Sequence, residues 1–512
     1  MGFYDAIRIG ASGATDTGYT VDRSVRISRD TGNYFSISRS SDGNRKKWTL
    51  SFWFKRGKIS TSGDFLPILS WYLTGNTRNG FVIKENGGFH YQLRIGSYKA
   101  IIDPVEFFRD PSAWYHVVFI QDTENSTQAD RVITYVNGRR ITISSGSLLM
   151  AQNEVSYINS TSTHYLGHDG HYGTGDFYLA DVNFIDGQAY DPTYFAETDA
   201  TTGQWIPKEY TNGYSGNSFY LKFDDNSGTT ATTLGKDSSG LGNNVTPVNF
   251  SVSAGAGNHS LTDTPTNNFC TLNSLEPISG TLTNGNLNWA LNASKGARGT
   301  FFVSSGKWYF EAVVTAGTNA PSYTLFGIQR NTGSLSGGLP YDGYGFLLFP
   351  TKYDGSSGST FSVGSTSFND VIGIAFDLDN KDIYFYRNGS LLGGGAAFSS
   401  ITAGEYSPFI GNYTTSNNDM TGFVNFGQRP FAHTPPTGYK ALSSANLPDP
   451  TILLPNEHFD TLLYTGTGSS QNITGLQYQP DWVWIKKRNG AENHELQDAV
   501  RGATKRLASN AT

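Results

Sequence analysis

The chain has 512 residues, of which 16% are charged and 14% are aromatic, and its formal net charge is −6. This composition excludes a disordered chain, which would be poor in aromatics, and a helical bundle rich in Ala, Glu, Lys and Leu. The single cysteine, Cys270, excludes an intramolecular disulfide, and the weak net charge gives no general attraction to nucleic acid. What remains is a compact, turn-rich protein, mainly β, of about three domains.

Residues 1–20 are rich in Gly, Ala and Thr and carry little material for a core. The apolar side chains of Phe3, Tyr4 and Ile7 have no local core to enter, so we predict that this segment is an anchor to another protein. The N-terminus lacks a basic region followed by an apolar run, and the chain has no apolar stretch of 18 residues. We therefore expect no signal peptide and no membrane insertion.

Residues 21–265 are rich in strand signals and are predicted to form the first domain. From position 48 to 55, four apolar residues alternate with Thr49, Ser51, Trp53 and Lys55, which places one apolar face inward. Asn137-Gly138 separates two β-rich runs and predicts a hairpin with a type I′ turn. Asp191-Pro192 is typical of the start of a short helix.

Composition changes mark the later boundaries. Residues 266–285 read as a linker or a long packed loop, and residues 286–432 alternate again as strands, which predicts a second sandwich. A Pro-rich stretch, 433–450, is predicted to be a second linker. Residues 451–512 have too few strands to close a core, and apolar positions at helical spacing predict a helix over 492–508. We therefore expect a partial α+β module there, completed either by further sequence or by another chain.

Four stretches of the first domain carry a family resemblance: Trp48–Phe54, Trp114–Val118, Tyr135–Gly138 and Phe177–Val182. They resemble the laminin-G and concanavalin-like lectins, which implies a jelly-roll β-sandwich and carbohydrate binding. The second domain is similar to SPRY domains in five stretches, in order: Ser305–Glu311, Phe326–Ile328, Tyr344–Phe346, Asn369–Gly373 and Phe385–Gly389. The expected fold class is therefore all-β, with tandem antiparallel sandwiches.

The combination resembles appendage proteins of marine bacteriophages, on Tyr178–Tyr190, Asn425–Phe431 and the Pro480–Lys486 stretch. That resemblance implies a virion structural protein, similar to a tail fibre or spike, that is made in the host cytoplasm and attaches to the host surface. It implies a glycan or protein receptor, virion partners bound through the N-terminal segment, and a homotrimer. A capsid decoration protein without a ligand and a glycan-degrading depolymerase are the alternatives.

The loop at positions 164–175 holds the candidate binding residues. His164, His168, Asp169 and His171 could ligate a metal, but the interleaved glycines at 167, 170, 173 and 175 favour a polar loop. The interpretation we adopt is a ligand-facing loop, in which Tyr165 and Tyr172 stack on sugars beside His168, Asp169 and His171. Trp53 joins this set because it falls on the polar face of its strand, where it is either covered by another element or exposed.

Other chemistry is less well supported. Glu197-Thr198-Asp199 is the nearest match to the paired carboxylates of concanavalin-like hydrolases, but no Glu follows it, so we predict no enzyme activity. No cofactor is predicted. Oxygen ligands for calcium could come from a group of acidic and amide residues, which are equally ordinary turn formers: Asp224, Asp225, Asn226, Asp237 and Asn243.

Overall fold

The computed structural model describes residues 18–57, 65–84, 86–170, 173–200, 202–276, 280–292, 294–317, 321–413, 419–448, 452, 454–502 and 504–511. The chain divides into two compact units: Met1–Asp199 with Gln204–Asp449, and Pro450–Thr512 with Ala200–Gly203. Within the described ranges, no helix has the length and apolar character needed to cross a membrane. Most of the predicted anchor, residues 1–17, lies outside the described residues.

In the first half of the larger unit, the described residues form seventeen strands: β1 (Ser24–Ile27), β2 (Tyr34–Ile37), β3 (Lys47–Arg56), β4 (Phe65–Thr74), β5 (Thr77–Lys84), β6 (Phe89–Ile95), β7 (Ser97–Ile102), β8 (Trp114–Asp122), β9 (Val132–Val136), β10 (Arg139–Arg140), β11 (His164–Leu166), β12 (Phe177–Asp186), β13 (Ala196–Thr198), β14 (Trp205–Pro207), β15 (Phe219–Leu221), β16 (Thr246–Val248) and β17 (Ser260–Leu261). An eight-stranded sheet has the order β10-β9-β8-β3-β12-β1-β17 with β15 beside β12, and a seven-stranded sheet has the order β16-β2-β11-β4-β5-β6-β7.

The two sheets form the predicted sandwich, with the core between them. Trp48, Leu50, Phe52 and Phe54 of β3 enter this core, as their alternation predicts. Asn137 and Gly138 both have positive φ, 48° and 75°, as the predicted type I′ hairpin turn requires.

Where the structure describes it, the second half of the larger unit contains fourteen strands: β18 (Gly280–Thr283), β19 (Asn288–Leu291), β20 (Lys295–Arg298), β21 (Lys307–Gly317), β22 (Thr324–Arg330), β23 (Gly343–Leu347), β24 (Thr351–Asp354), β25 (Ser357–Thr360), β26 (Val371–Asp377), β27 (Asp382–Arg387), β28 (Ser390–Leu391), β29 (Tyr406–Asn412), β30 (Met420–Asn425) and β31 (Lys440–Ala441). They form a sheet of order β18-β19-β30-β21-β26-β27-β28, with β31 beside β21, and a second of order β20-β29-β22-β23-β24-β25. All pairs are antiparallel except β31 with β21.

Short 3-10 helices are the helical elements of the described chain: Gln128–Asp130, Pro192–Tyr194, Pro321–Tyr323, Ser444–Asn446 and Pro455–Glu457. The second begins as predicted, because the Asp191 side chain caps it by accepting a hydrogen bond from the Thr193 amide at 2.8 Å. The fold class is therefore all-β, with several antiparallel sheets forming sandwiches.

The outward face of β3 is the main departure from the sequence pattern. Thr49, Ser51, Trp53 and Lys55 read as a polar, solvated face, yet all four are buried. The β13–β14 hairpin supplies Ala196 to the cluster that holds Trp53, and the neighbouring segment 263–269 encloses Lys55. Both faces of β3 are therefore interior, and an alternation rule that assumes one solvated face cannot anticipate this.

A buried ion pair joins the first sandwich to the segment that leads into the second. Lys55 Nζ lies 2.8 Å from Asp263 Oδ2, and both side chains are fully buried. The ammonium also donates to Asn268 Oδ1 at 2.7 Å and to the Phe269 carbonyl at 2.8 Å. The indole of Trp114 donates to the other oxygen of Asp263 at 3.0 Å. Each charge is thus paired and hydrogen-bonded, which is the condition for tolerating burial.

Both segments predicted as linkers are packed into the larger unit. Within 266–285, Phe269, Cys270 and Leu272 are buried, so the long packed loop is the correct alternative. Within 433–450, β31 pairs with β21 and Leu442 is fully buried. Hydrogen bonds between the two segments, such as that from the Asn268 N–H to Ser444 Oγ at 2.8 Å, satisfy part of their irregular backbone.

Among its described residues, the C-terminal unit contains one two-stranded sheet, β32 (Trp482–Ile485) paired with β33 (Glu495–Asp498). The helix predicted over 492–508 is wrong, since Glu495–Asp498 within it form strand β33 and Leu496 forms an antiparallel bridge with Leu507. Helical spacing of a few apolar residues does not decide between helix and strand when tertiary pairing competes. The α part of the predicted α+β module is therefore not found among the described residues.

We predict that Lys55→Met destabilises the protein by about 3–5 kcal/mol, because the substitution leaves the Asp263 carboxylate buried without its partner. Urea unfolding measures this loss. Lys208→Met is the matched control, since Lys208 forms an exposed pair with Glu197 at 3.4 Å and such pairs contribute at most about 1 kcal/mol. Equal effects of the two substitutions would contradict the structural role of the buried pair.

A second prediction concerns Asp176, which is buried and accepts the Gly285 N–H at 2.9 Å. Burial raises its pKa from 3.8 to about 6. As the pH rises, the unfolded chain loses the Asp176 proton at a lower pH than the folded protein does. The free energy of unfolding therefore falls between about pH 4 and pH 6. Asp176→Asn keeps an acceptor for Gly285, so above pH 6 the variant is expected to be more stable than the wild type by about 3 kcal/mol.

The measurement is the difference in free energy of unfolding between wild type and Asp176→Asn at several pH values. Asp225→Asn is the control of opposite sign, because hydrogen bonds from Ser227 lower the pKa of Asp225. A difference that does not change between pH 4 and pH 7 would contradict the raised pKa of Asp176.

Candidate functional site

The candidate binding loop follows β11, on the face of the seven-stranded sheet that points away from the core. Tyr165 lies directly opposite Ser36 of β2 and Ser70 of β4. Its ring meets Tyr34 edge-on, with centroids 5.8 Å apart, and His168 at 5.6 Å. Tyr34 stacks on His168 at 4.5 Å. Tyr34, Tyr165 and His168, all partly exposed, are called the aromatic cluster below.

Hydrogen bonds close the base of this loop. The Gly170 N–H donates to His168 Nδ1 at 2.7 Å, and the Gly173 N–H donates to Asp169 Oδ1 at 3.0 Å. Ser70 Oγ donates to the His168 carbonyl at 2.5 Å, which ties the loop to β4. Burial lowers the pKa of His168, so the neutral ring prevails at pH 7, and its occupied Nδ1 places the ring proton on Nε2.

The residues predicted from the sequence divide into three groups: those that come together in the loop, those outside the described residues, and Trp53. Tyr165, His168 and Asp169 come together in the loop, and Asp169 shapes the turn. His171 and Tyr172 lie outside the described residues.

The structure corrects the placement of Trp53 among the binding residues. Its side chain is only 3% exposed, and its ring stacks on that of His116 with centroids 5.0 Å apart. The covered alternative holds for Trp53, which belongs to the core and not to a binding surface. His116 itself is locked in this interior: its Nδ1 accepts the indole N–H of Trp205 at 3.1 Å, and burial lowers its pKa to about 3.

The described side chains that the sequence offered as metal ligands, His164, His168 and Asp169, have hydrogen-bond partners within the fold. His164 is buried, lies 2.9 Å from the Tyr157 carbonyl through Nε2, and has a pKa lowered to about 4 by burial. Asp237 accepts from the amides of Tyr220 and Asn243, at 2.9 and 2.8 Å, so its carboxylate organises a turn. Among the described residues, no group of three or more His, Cys, Asp or Glu is placed to hold a metal ion.

The aromatic cluster has the chemistry of a carbohydrate-binding surface. Tyrosine and histidine rings offer apolar faces for the C–H groups of a sugar, with hydroxyl and imidazole groups at their edges for hydrogen bonds. Sequence reasoning missed Tyr34, which is 131 positions before Tyr165. Only the pairing of β2 with β11 brings the two together.

Comparisons with known proteins identify two regions. A SPRY domain model matches residues 307–429, and a domain of unknown function (DUF7483) matches residues 454–512. The probable ATP-dependent RNA helicase ddx1 of Dictyostelium discoideum is 31% identical over 153 residues, 30% of this chain and 18% of that protein. The E3 ubiquitin-protein ligase RKP of Arabidopsis thaliana is 31% identical over 157 residues, 29% of this chain and 11% of that protein. The chain thus spans less than a fifth of these relatives.

Two solved structures are each similar to part of this chain. The SPRY domain of human HERC1 is 19% identical, with a TM-score of 0.26, over 30% of this chain and 94% of that one. A native heptameric SAP-like pentraxin from Limulus polyphemus is 16% identical, with a TM-score of 0.25, over 33% of this chain and 78% of that one. The family match shows that residues 307–429 are a SPRY domain, which follows an N-terminal antiparallel β-sandwich.

Proposed function

We propose that this chain is a structural subunit of a bacteriophage virion that attaches to the host surface by binding carbohydrate. The observation that carries the binding role is the aromatic cluster, which presents three ring side chains on an outward sheet face and is held in part by the hydrogen bond from the Gly170 N–H to His168 Nδ1. A site on paired strands loses little conformational freedom when a ligand binds, which favours recognition of a repeated surface sugar.

The positions of Glu197 and Asp199, the two carboxylates considered for a hydrolase, favour binding over hydrolysis. Glu197 lies on β13 of an exposed hairpin and pairs with Lys208 at 3.4 Å. Asp199 is buried where that hairpin closes, and its amide donates to Gln204 at 2.7 Å. A retaining hydrolase needs two carboxyl groups about 5–5.5 Å apart on either side of a sugar. Glu197 and Asp199 instead form contacts within the hairpin and its closing turn.

The virion role is supported by the order of modules along the chain. A β-sandwich, a SPRY domain and a third module matching 454–512 occur in the order that the resemblance to phage appendages implies. In this proposal residues 1–17 bind other virion proteins, and three copies form the appendage. Tyr19, just after that segment, already belongs to the first sandwich, because its hydroxyl donates to Asp181 at 2.7 Å.

We predict that Tyr165→Ala weakens glycan binding by about three- to tenfold, since one aromatic contact contributes on the order of 1 kcal/mol. The measurement is titration of the purified chain on a glycan array. Tyr413→Ala is the control, because Tyr413 is also a partly exposed tyrosine whose ring packs against another ring, that of Tyr353 at 5.6 Å, but it lies in the SPRY domain. Absence of binding to every glycan by the wild type would overturn the proposed carbohydrate role.

A further prediction tests the virion role. Deletion of residues 1–17 should abolish incorporation into particles and leave the folded chain intact, because the cut spares Tyr19 and its bond to Asp181. Immunoelectron microscopy of purified particles and circular dichroism of the free chain measure the two effects. Normal incorporation of the shortened chain would rule out the anchor, and failure to label any particle with the full chain would rule out the virion assignment.

A further inference from the structure

A row of four side chains crosses the outer face of the seven-stranded sheet beside the aromatic cluster. Tyr72 of β4 lies directly opposite Arg78 of β5, Arg78 opposite Arg94 of β6, and Arg94 opposite Tyr98 of β7. Residues directly opposite each other share one face of a sheet. The apolar neighbours of this row, such as Leu93, enter the core, so the row faces outward. These four residues are called the arginine ladder.

The two arginines are held in place by neutral groups. Both donate to the Gly75 carbonyl, at 3.0 Å from Arg78 and 3.2 Å from Arg94. Arg78 also donates to the Tyr98 hydroxyl at 3.1 Å, and the Arg94 guanidinium lies 4.8 Å above the Tyr98 ring. In the described part of the chain, the printed hydrogen-bond partners of both arginines are neutral, including Gln92 Oε1 at 3.1 Å from Arg78 Nε, and Arg94 Nε has no hydrogen-bond partner.

Two like charges directly opposite each other destabilise a sheet. Other arginines on this sandwich avoid that cost by pairing, as Arg139 does with Glu106 and Arg140 with Asp130. A bound anion would remove the repulsion between Arg78 and Arg94. The planar guanidinium forks suit carboxylate or sulfate groups, which they can bind through two parallel hydrogen bonds.

The arginine ladder and the aromatic cluster form one continuous surface. Gly170 lies between them, since a Cβ at this position would be 2.8 Å from Tyr165 Cε2 and 3.2 Å from Tyr72 Cβ. The surface thus extends over six neighbouring strands, from β2 to β7. At about 4.8 Å per strand this is roughly 24 Å, long enough for several sugar residues.

We propose that this surface binds an anionic polysaccharide, with its acidic groups on Arg78 and Arg94 and its sugar rings on the aromatic cluster. The inference rests on the proposed carbohydrate role and names the class of glycan. An acidic glycan is favoured over nucleic acid, because the chain carries a net charge of −6 and the ladder offers only two cations.

The test compares binding of four probes to the purified full chain: alginate, carboxyl-reduced alginate, dextran sulfate and dextran. We expect at least tenfold tighter binding of an acidic polymer than of its neutral counterpart, falling as salt increases. The alginate pair reports carboxylate recognition and the dextran pair reports sulfate recognition. Equal binding of acidic and neutral polymers would overturn the ladder and leave the carbohydrate role intact, whereas no binding to any glycan would overturn the carbohydrate role itself.

The variant is Arg78→Gln with Arg94→Gln, which should weaken binding of the acidic polymer by about 10- to 100-fold. Arg139→Gln with Arg140→Gln is the matched control, because it removes the same charge from β10 of the other sheet. Equal losses in both variants would mean that only net charge matters and would overturn the site. Tighter binding of an oligothymidylate than of any acidic glycan would also overturn it, in favour of nucleic acid. If the double variant does not fold, Arg94→Gln alone retains the bonds of Arg78 and serves as the test.

Discussion

The ion pair between Lys55 and Asp263 is the interaction on which the larger unit depends. Both charges are fully buried, and the cost of removing them from water is offset only when every donor and acceptor around them is placed. That requirement fixes the segment from Asp263 to Phe269 against β3. The same segment bonds onward to Ser444, after the SPRY domain, so one polar network ties the first sandwich to both ends of the second.

The sequence was sufficient to predict the β class, the two sandwiches and their turns, because those features follow from local rules. Alternation placed Trp48 and its partners in the core, and Asn137-Gly138 was a reliable turn. The rules failed where a third layer of chain covered a strand. Nothing local reveals that distant segments bury Lys55, and for the same reason the sequence could not decide whether Trp53 is covered or exposed. The helix over 492–508 failed for a related reason, since pairing with β32 outweighs a weak helical pattern.

The candidate site was predicted in part for the same physical reason. Tyr165 and His168 were recognisable because they share one glycine-rich loop, and their loop does face outward. Tyr34, Arg78 and Arg94 were not recognisable, because each becomes part of the surface only through strand register. Register depends on which strands pair, and pairing between β2 and β11 spans most of the first domain. Loop composition therefore indicated where a site could be, and the sheet determined how large it is.

The two sheets of the first sandwich have separate tasks, and the distance between them matters. The eight-stranded sheet carries β3 and the buried ion pair, whereas the seven-stranded sheet carries the aromatic cluster and the arginine ladder. Packed sheets lie about 10 Å apart, and substitutions at that separation usually add independently. Changes in the outward side chains of the second sheet can therefore alter what is bound without disturbing Lys55 and Asp263. In the proposed role, this separation would let glycan recognition vary while the joint between the sandwiches stays constant.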